Sequence, residues 1–237
     1  TSKTRIDLED VGYSNKITNK AILKILENAG ARQSETIHFG LNDMENVGFS
    51  WILLGWKVKI LKRPIYNEEL TINTWGRESN RIFTYRDYEI YDESGELCAI
   101  ATSKWAIVDI NTGKLRELTP EIIEKYQCET KKVFEEDYTL KLKEPVTIIR
   151  KQEYKAQRRD IDINKHIHNL YYLDYAYEVL PEEVYEAPEC NNIEIMYKKQ
   201  IRLNDEFKCL YTKEENQNIV TMKSEDETTL HAIIKLY

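Results

Sequence analysis

Cysteine is scarce in this chain and follows no pattern. Its four copies among 237 residues, Cys98, Cys128, Cys190 and Cys209, show neither C-x-x-C nor Cys/His ligand spacing. A disulfide framework and a zinc module are thereby set aside, and reduced thiols in a cytoplasmic protein are the expectation. Long apolar runs are missing too, since none approaches the ~18–20 residues of a membrane span. The N-terminal stretch lacks the charged-then-apolar signature of an export signal, so neither membrane insertion nor secretion is expected. Positive charge is in deficit, with 34 Lys and Arg against 41 Asp and Glu and a net charge of −7. That balance argues against general nucleic-acid binding while leaving room for a local basic patch. His38, His166 and His168 have no carboxylate-rich ligand spacing around them, so no metal is expected and no cofactor is implied.

What remains is an ordinary soluble composition, 41% hydrophobic and 32% charged. A chain of this length makes one large domain or two of roughly 118 residues. Weak alternation at Ile6, Leu8 and Val11 predicts a short first strand over residues 4–11. Thr18 or Asn19 can cap a helix with Ile22, Ile25, Leu26 and Ala29 on one face, and Gly30 is its natural stop. Extended segments follow at 51–60, with Trp56, Val58 and Ile60 on one face, and at 70–75, 81–91 and 97–110. A short helix over 120–126 leads into a charged linker at 131–137. Strands resume at 138–142 and 146–155. A second helix over 169–180, capped by Asn169 and stopped by Pro181, carries Leu173, Ala176, Tyr177 and Leu180 on one face. Extended segments at 193–202, 207–212, 219–223 and 229–237 complete the chain.

The two halves superpose in sequence. With an offset of 150, Asp10 falls on Asp160, Ile17 on Ile167, Asn19 on Asn169 and Leu23 on Leu173, without a gap. With an offset of 137, Asn67-Glu68-Glu69-Leu70 falls on Asn204-Asp205-Glu206-Phe207, and with 133, Ala99-Ile100 falls on Ala232-Ile233. Strand, long helix and several antiparallel strands thus occur twice, and a repeat fixes the architecture. The expected class is α+β, a double hotdog of two tandem repeats, each a long helix wrapped by an antiparallel sheet. The division is expected between residues 1–130 and 131–237.

The run from Asp160 to Ile167 alternates polar and apolar residues. In an extended backbone, Asp162, Asn164 and His166 would project to one side, and Ile161, Ile163 and Ile167 to the other. Where the second half has this triplet, the first has Gly12, Ser14 and Lys16. Fold constraints act alike on both copies, so a triplet found in one copy reads as chemistry. Bracing of the following helix is its structural alternative. His168 pairs with Thr18 and reads as a helix-start residue. Arg158, Arg159, Lys198, Lys199 and Arg202 make either a patch for an acidic partner or a solvated face.

At these residues the sequence resembles the acyl-acyl carrier protein (acyl-ACP) thioesterases of plants and bacteria. The resemblance covers nearly the whole chain. It rests on Trp51-Ile52-Leu53-Leu54, Lys62-Arg63-Pro64, Leu70–Trp75, Tyr85–Ile90 and Ala101–Asp109. In the second half it rests on Asp160–Asn169, which is similar to the family's D-x-N-x-H signature. It implies an enzyme that hydrolyses fatty acyl-ACP, with Asp162, Asn164 and His166 as catalytic residues and the basic patch as the carrier contact. The first repeat would bind the acyl chain and the second would be catalytic. Acyl-CoA hydrolysis, or acyl binding without catalysis, are the alternatives; a monomer or a homodimer is allowed. One departure stands out. The family commonly has glutamate and then cysteine after a tyrosine and two basic residues, but this chain reads Tyr197-Lys198-Lys199-Gln200-Ile201. A carboxylate base and a cysteine nucleophile are therefore excluded there, and Gln200 is left to position water.

Overall fold

The computed structural model describes residues 1–77, 81–136, 141–185 and 190–237. The chain divides into two compact units, Thr1–Tyr138 and Thr139–Tyr237. The first unit runs β1 (Ser2–Arg5), a 3-10 turn (Leu8–Asp10), α1 (Asn19–Thr36), α2 (Met44–Val47), β2 (Phe49–Ile60), β3 (Glu69–Gly76), β4 (Thr84–Tyr91), β5 (Leu97–Asp109), β6 (Leu115–Arg116) and α3 (Pro120–Tyr126). Its antiparallel strands lie in the order β1-β3-β4-β5-β2, with β6 added to β5. The second unit runs β7 (Arg150–Lys155), a 3-10 turn (Arg158–Asp160), α4 (Tyr171–Val179), α5 (Glu182–Tyr185), β8 (Asn192–Tyr197), β9 (Glu206–Glu214), β10 (Gln217–Ser224) and β11 (Leu230–Leu236). Its order, β7-β9-β10-β11-β8, is that of the first unit element for element. The fold is an α+β double hotdog.

The duplication extends to single hydrogen bonds. Gly12 N–H donates to Lys16 O at 3.0 Å, as Asp162 N–H does to His166 O at 2.9 Å. Ile17 N–H donates to Pro64 O at 2.9 Å, as Ile167 N–H does to Ile201 O at 2.8 Å. Thr18 and His168 both donate to the carbonyl eight residues back, Asp10 O at 2.9 Å and Asp160 O at 2.8 Å. Asn67 and Asn204 take the same left-handed turn, with φ of 69° and 68°.

In each unit the core lies between helix and sheet. Ile22, Leu23, Ile25, Leu26 and Ala29 of α1 are buried, and each large side chain so buried stabilises the unit by ~1.5–3 kcal/mol. Trp56, Val58 and Ile60 are buried as the strand pattern predicts, with Trp56 against the Tyr88 ring at 5.4 Å. Thr18 caps α1 by accepting from Ala21 N–H at 3.1 Å.

Several expected boundaries move. The first strand is only four residues long because the chain turns at Leu8–Asp10, leaving Leu8 75% exposed. Helix α1 runs six residues past Gly30. A Cβ there would stand 2.8 Å from the Tyr88 hydroxyl and 3.2 Å from Arg86 Cδ, so this glycine permits a close approach of helix to sheet and does not end the helix. The left-handed turn comes at His38, φ 61°. Helix α4 starts at Tyr171, two residues later than expected, and has no side-chain cap at Leu170. Tyr177 is half-buried beside Tyr185; the buried face is Tyr172, Leu173, Ala176 and Val179. The strand expected over 146–155 begins at Arg150, after a stretch that leaves Val146, Ile148 and Ile149 exposed. The expected strand at 138–142 and the end of the linker fall partly outside the described residues; residues 141 and 142 form no strand.

Candidate active site

The polar triplet sits on a turn, not on an extended strand. Ile161 and Ile167 pair across it as an isolated antiparallel bridge. Between them Lys165 N–H donates to Asp162 O at 3.0 Å, and Lys165 takes a left-handed φ of 64°. The alternating pattern gives way to a turn that the sister copy also takes with Gly12, and Asp162 braces it through its own backbone neighbours. Its Oδ1 accepts from Asn164 N–H at 2.8 Å and from His166 N–H at 3.4 Å, an Asx-type brace that favours a turn over a strand. Ile163 consequently points outward and is 67% exposed. The Asp162 carboxylate therefore braces backbone while its Oδ2 lies 3.5 Å from Asn164 Nδ2. Asn164 is exposed and His166 is half-buried.

His166 also forms a bridge with Arg202, which fixes it beside the segment after β8. Burial lowers the pKa of its imidazole below the ordinary value. Asp162 and Asp205 pull it back up, and Arg202 pushes it further down. Burial thus favours the neutral form of the ring. Gln200 is exposed and lies two residues before Arg202, the bridge partner of His166. All five basic residues expected to form a patch, Arg158, Arg159, Lys198, Lys199 and Arg202, are exposed and flank the same turn and strand.

Asn169 does not cap α4; its carbonyl accepts from the Tyr197 hydroxyl at 3.1 Å. His168 does the work at the helix start, its Nδ1 accepting from Leu170 N–H at 3.3 Å and its carbonyl from Tyr171 N–H at 2.9 Å. The four tyrosines of this helix diverge in role. Tyr172 packs on Tyr197, and Tyr175 packs on Tyr154 and Phe207 while donating to Asp160 at 2.6 Å. Burial raises the thiol pKa of Cys98 to about 11 and pushes that of Cys209 up further still, which leaves neither as a ready nucleophile. Among the described residues, no three His, Cys, Asp or Glu side chains converge in a way that could hold a metal ion.

Three residues near the site carry no local sequence signal. Asp205 accepts from Arg202 N–H at 2.8 Å and acts electrostatically on both His166 and His231. Buried His231, 6% exposed on β11, bonds Lys199 O through Nδ1 at 2.8 Å. Buried Tyr172, 3% exposed, packs its ring on Tyr197, the residue before Lys198. For His231 and Tyr172 only the repeat offsets, which set them against Cys98 and Ile22, would have marked them; Asp205 has an acid, Glu68, at its sister position.

Residues 1–126 match the model of the acyl-ACP thioesterase N-terminal domain, and residues 143–235 match that of the C-terminal domain. The chain belongs to the acyl-ACP thioesterase family. Oleoyl-acyl carrier protein thioesterase 2 of Arabidopsis thaliana, a chloroplastic protein, is 25% identical over 228 residues, covering 90% of this chain and 62% of the plant protein. The counterpart from Coriandrum sativum is also 25% identical, over 90% of this chain and 62% of its own. The chain thus spans about three-fifths of the length of these curated relatives. Among solved structures, an acyl-ACP thioesterase from Bacteroides thetaiotaomicron aligns over 99% of this chain and 95% of its own, with TM-score 0.86 and 22% identity. The 12:0-ACP thioesterase of Umbellularia californica aligns over 99% and 95%, with TM-score 0.84 and 17% identity. Both likenesses bear on the fold. No helix among the described residues of this family member is long and apolar enough to cross a membrane.

Proposed function

We propose that this protein hydrolyses fatty acyl-ACP to free fatty acid and carrier protein, in fatty acid biosynthesis in the cytoplasm. The observation that carries the reading is a half-buried, neutral-favouring imidazole, His166, on a turn whose sister copy has Lys16. His166 takes a proton from water as the water oxygen bonds to the thioester carbonyl carbon. The carbonyl becomes an oxyanion, for which the Asn164 amide N–H is the donor. Collapse breaks the C–S bond, and the imidazolium returns its proton to the leaving thiolate. Asp162 braces the turn and favours the imidazolium electrostatically. Gln200 orients the water but cannot accept its proton. Arg158, Arg159, Lys198, Lys199 and Arg202 meet the acidic carrier. Residues 131–237 form the catalytic repeat and residues 1–130 the repeat that binds the acyl chain, and the active form is a monomer or homodimer. No cofactor takes part.

Purified protein, offered acyl-ACP of graded chain length and the matching acyl-CoA in a free-thiol assay, tests this. Preferred turnover of acyl-ACP is expected, and His166→Ala is expected to lower kcat by about 10²–10⁴-fold with the fold intact. Preference for acyl-CoA would overturn the carrier assignment. Acyl binding without thiol release would overturn the enzyme assignment in favour of a binding protein.

A further inference from the structure

The segment Lys198–Arg202, which carries Gln200, is held differently in the two copies. Its counterpart in the first unit is Leu61–Ile65 at the offset of 137. In both, one carbonyl of the neighbouring strand takes two successive N–H groups. Leu61 and Lys62 donate to Cys98 O at 2.7 and 3.1 Å, and Lys198 and Lys199 donate to His231 O at 2.8 and 3.4 Å. Cys98 and His231 are repeat partners at the offset of 133. The Cys98 thiol turns aside to Glu96 O at 3.5 Å, whereas the His231 ring adds a third bond, Nδ1–H to Lys199 O at 2.8 Å. Since a carbonyl only accepts, Nδ1 carries the proton.

On the other side of Gln200, position 201 corresponds to Pro64. The Ile201 carbonyl takes Ile167 N–H at 2.8 Å, one residue beyond His166, as the Pro64 carbonyl takes Ile17 N–H at 2.9 Å. What the sister copy lacks is the bond from the buried His231 ring, which pins the backbone immediately before Gln200.

We propose that His231 is a positioning residue that clamps Lys198–Arg202 and thereby holds the Gln200 amide at a fixed place beside His166. The inference rests on the hydrolase reading above, in which Gln200 orients the attacking water. His231 does not touch the substrate; it acts through the backbone of Lys199. A displaced amide misplaces the water, and misplacement of about 1 Å can cost up to roughly 100-fold in rate.

The test compares His231→Phe, which keeps a ring and removes the donor, with His231→Asn, whose amide nitrogen takes the place of Nδ1, and with His231→Cys, which copies the sister position. His231→Phe and His231→Cys are expected to lower kcat by roughly 10- to 100-fold with KM changed by less than about twofold, and His231→Asn to recover most of the loss. In a Gln200→Ala background the same changes are expected to cost less than about twofold more. Cys98→Ala, at the sister position, is expected to leave turnover unchanged. Equal losses with and without Gln200, or a folded His231→Phe or His231→Cys with wild-type kcat, would overturn the proposal. Should His231→Phe not fold, His231→Cys decides alone. Amide exchange keeps the test independent of activity. Ile167 and Lys199 N–H are expected to exchange several-fold faster in the variants. Unchanged exchange there overturns the clamp even if the wild type releases no thiol, an outcome that would separately overturn the hydrolase reading.

Discussion

Gln200→Glu restores the carboxylate that the family commonly carries at this place, and its effect can be sized from the geometry. The new charge would stand two residues before Arg202, the bridge partner of His166, and the expected effect is that of a charge roughly 7–8 Å from the imidazole. At effective dielectrics between 20 and 80, such a charge favours the imidazolium by about 0.5–2 kcal/mol, or roughly 0.4–1.5 pKa units. Residue 200 is exposed, so solvent screening puts the expected shift in the lower half of that range. The direction follows from the role. In the proposed role His166 acts as a base when neutral; burial lowers its pKa, and activity is expected to fall as pH drops through that pKa. Raising the pKa moves the acidic limb of kcat/KM to higher pH. A carboxylate able to share the proton is also expected to raise the plateau by at least about tenfold. The assay is thiol release from acyl-ACP across mildly acidic to neutral pH, for wild type and variant in parallel. An acidic limb that stays put, with an unchanged plateau, would refute the placement of residue 200 within reach of the base.

Three further substitutions test the frame. Gly30→Ala is expected to destabilise the protein by about 1–3 kcal/mol in denaturant titration, although alanine is the better helix former, because the added Cβ meets Tyr88 and Arg86. Tyr175→Phe removes the donor from buried Asp160 (4% exposed) and is expected to cost about 1–3 kcal/mol, read as a lower Tm. Lys165→Asn relieves a left-handed lysine, matching Asn15 of the sister turn (φ 59°), and is expected to stabilise by about 0.5–1 kcal/mol.

The fold was legible because it is written twice. Apolar periodicity marked both helices, and the offsets of 150 and 137 aligned turns that prove identical in their hydrogen bonds. The site was legible in composition but not in conformation. Asp162, Asn164 and His166 are brought onto one turn, yet alternation suggested a strand; the sister run folds into the same turn with Gly12 in place of Asp162, so the backbone frame and not side-chain periodicity decides the conformation. Lysine at a left-handed position also hides the turn that Asn15 announces openly. Gly30 misled for a related reason: a glycine that stops a helix and one that admits a distant tyrosine look the same until Tyr88 is in place. His231 was invisible locally because its meaning lies in a bond to Lys199, 32 residues away.

The matching turn frames give the molecule an internal control. Gly12→Asp, Ser14→Asn and Lys16→His would graft the polar triplet onto a backbone with the same bonds, in the same chain and at the same concentration. Behind that graft would stand Arg63 where the other copy has Gln200, Cys98 where it has His231, and Ile22 and Pro64 where it has Tyr172 and Ile201. Arg63 is already committed, donating to Ile17 O at 2.8 Å and to Asn19 Oδ1 at 2.6 Å. Tandem duplication thus left one copy free to spend this corner on anchoring its helix and the other free to gather the polar triplet there, a divergence that two identical subunits obeying one sequence could not make.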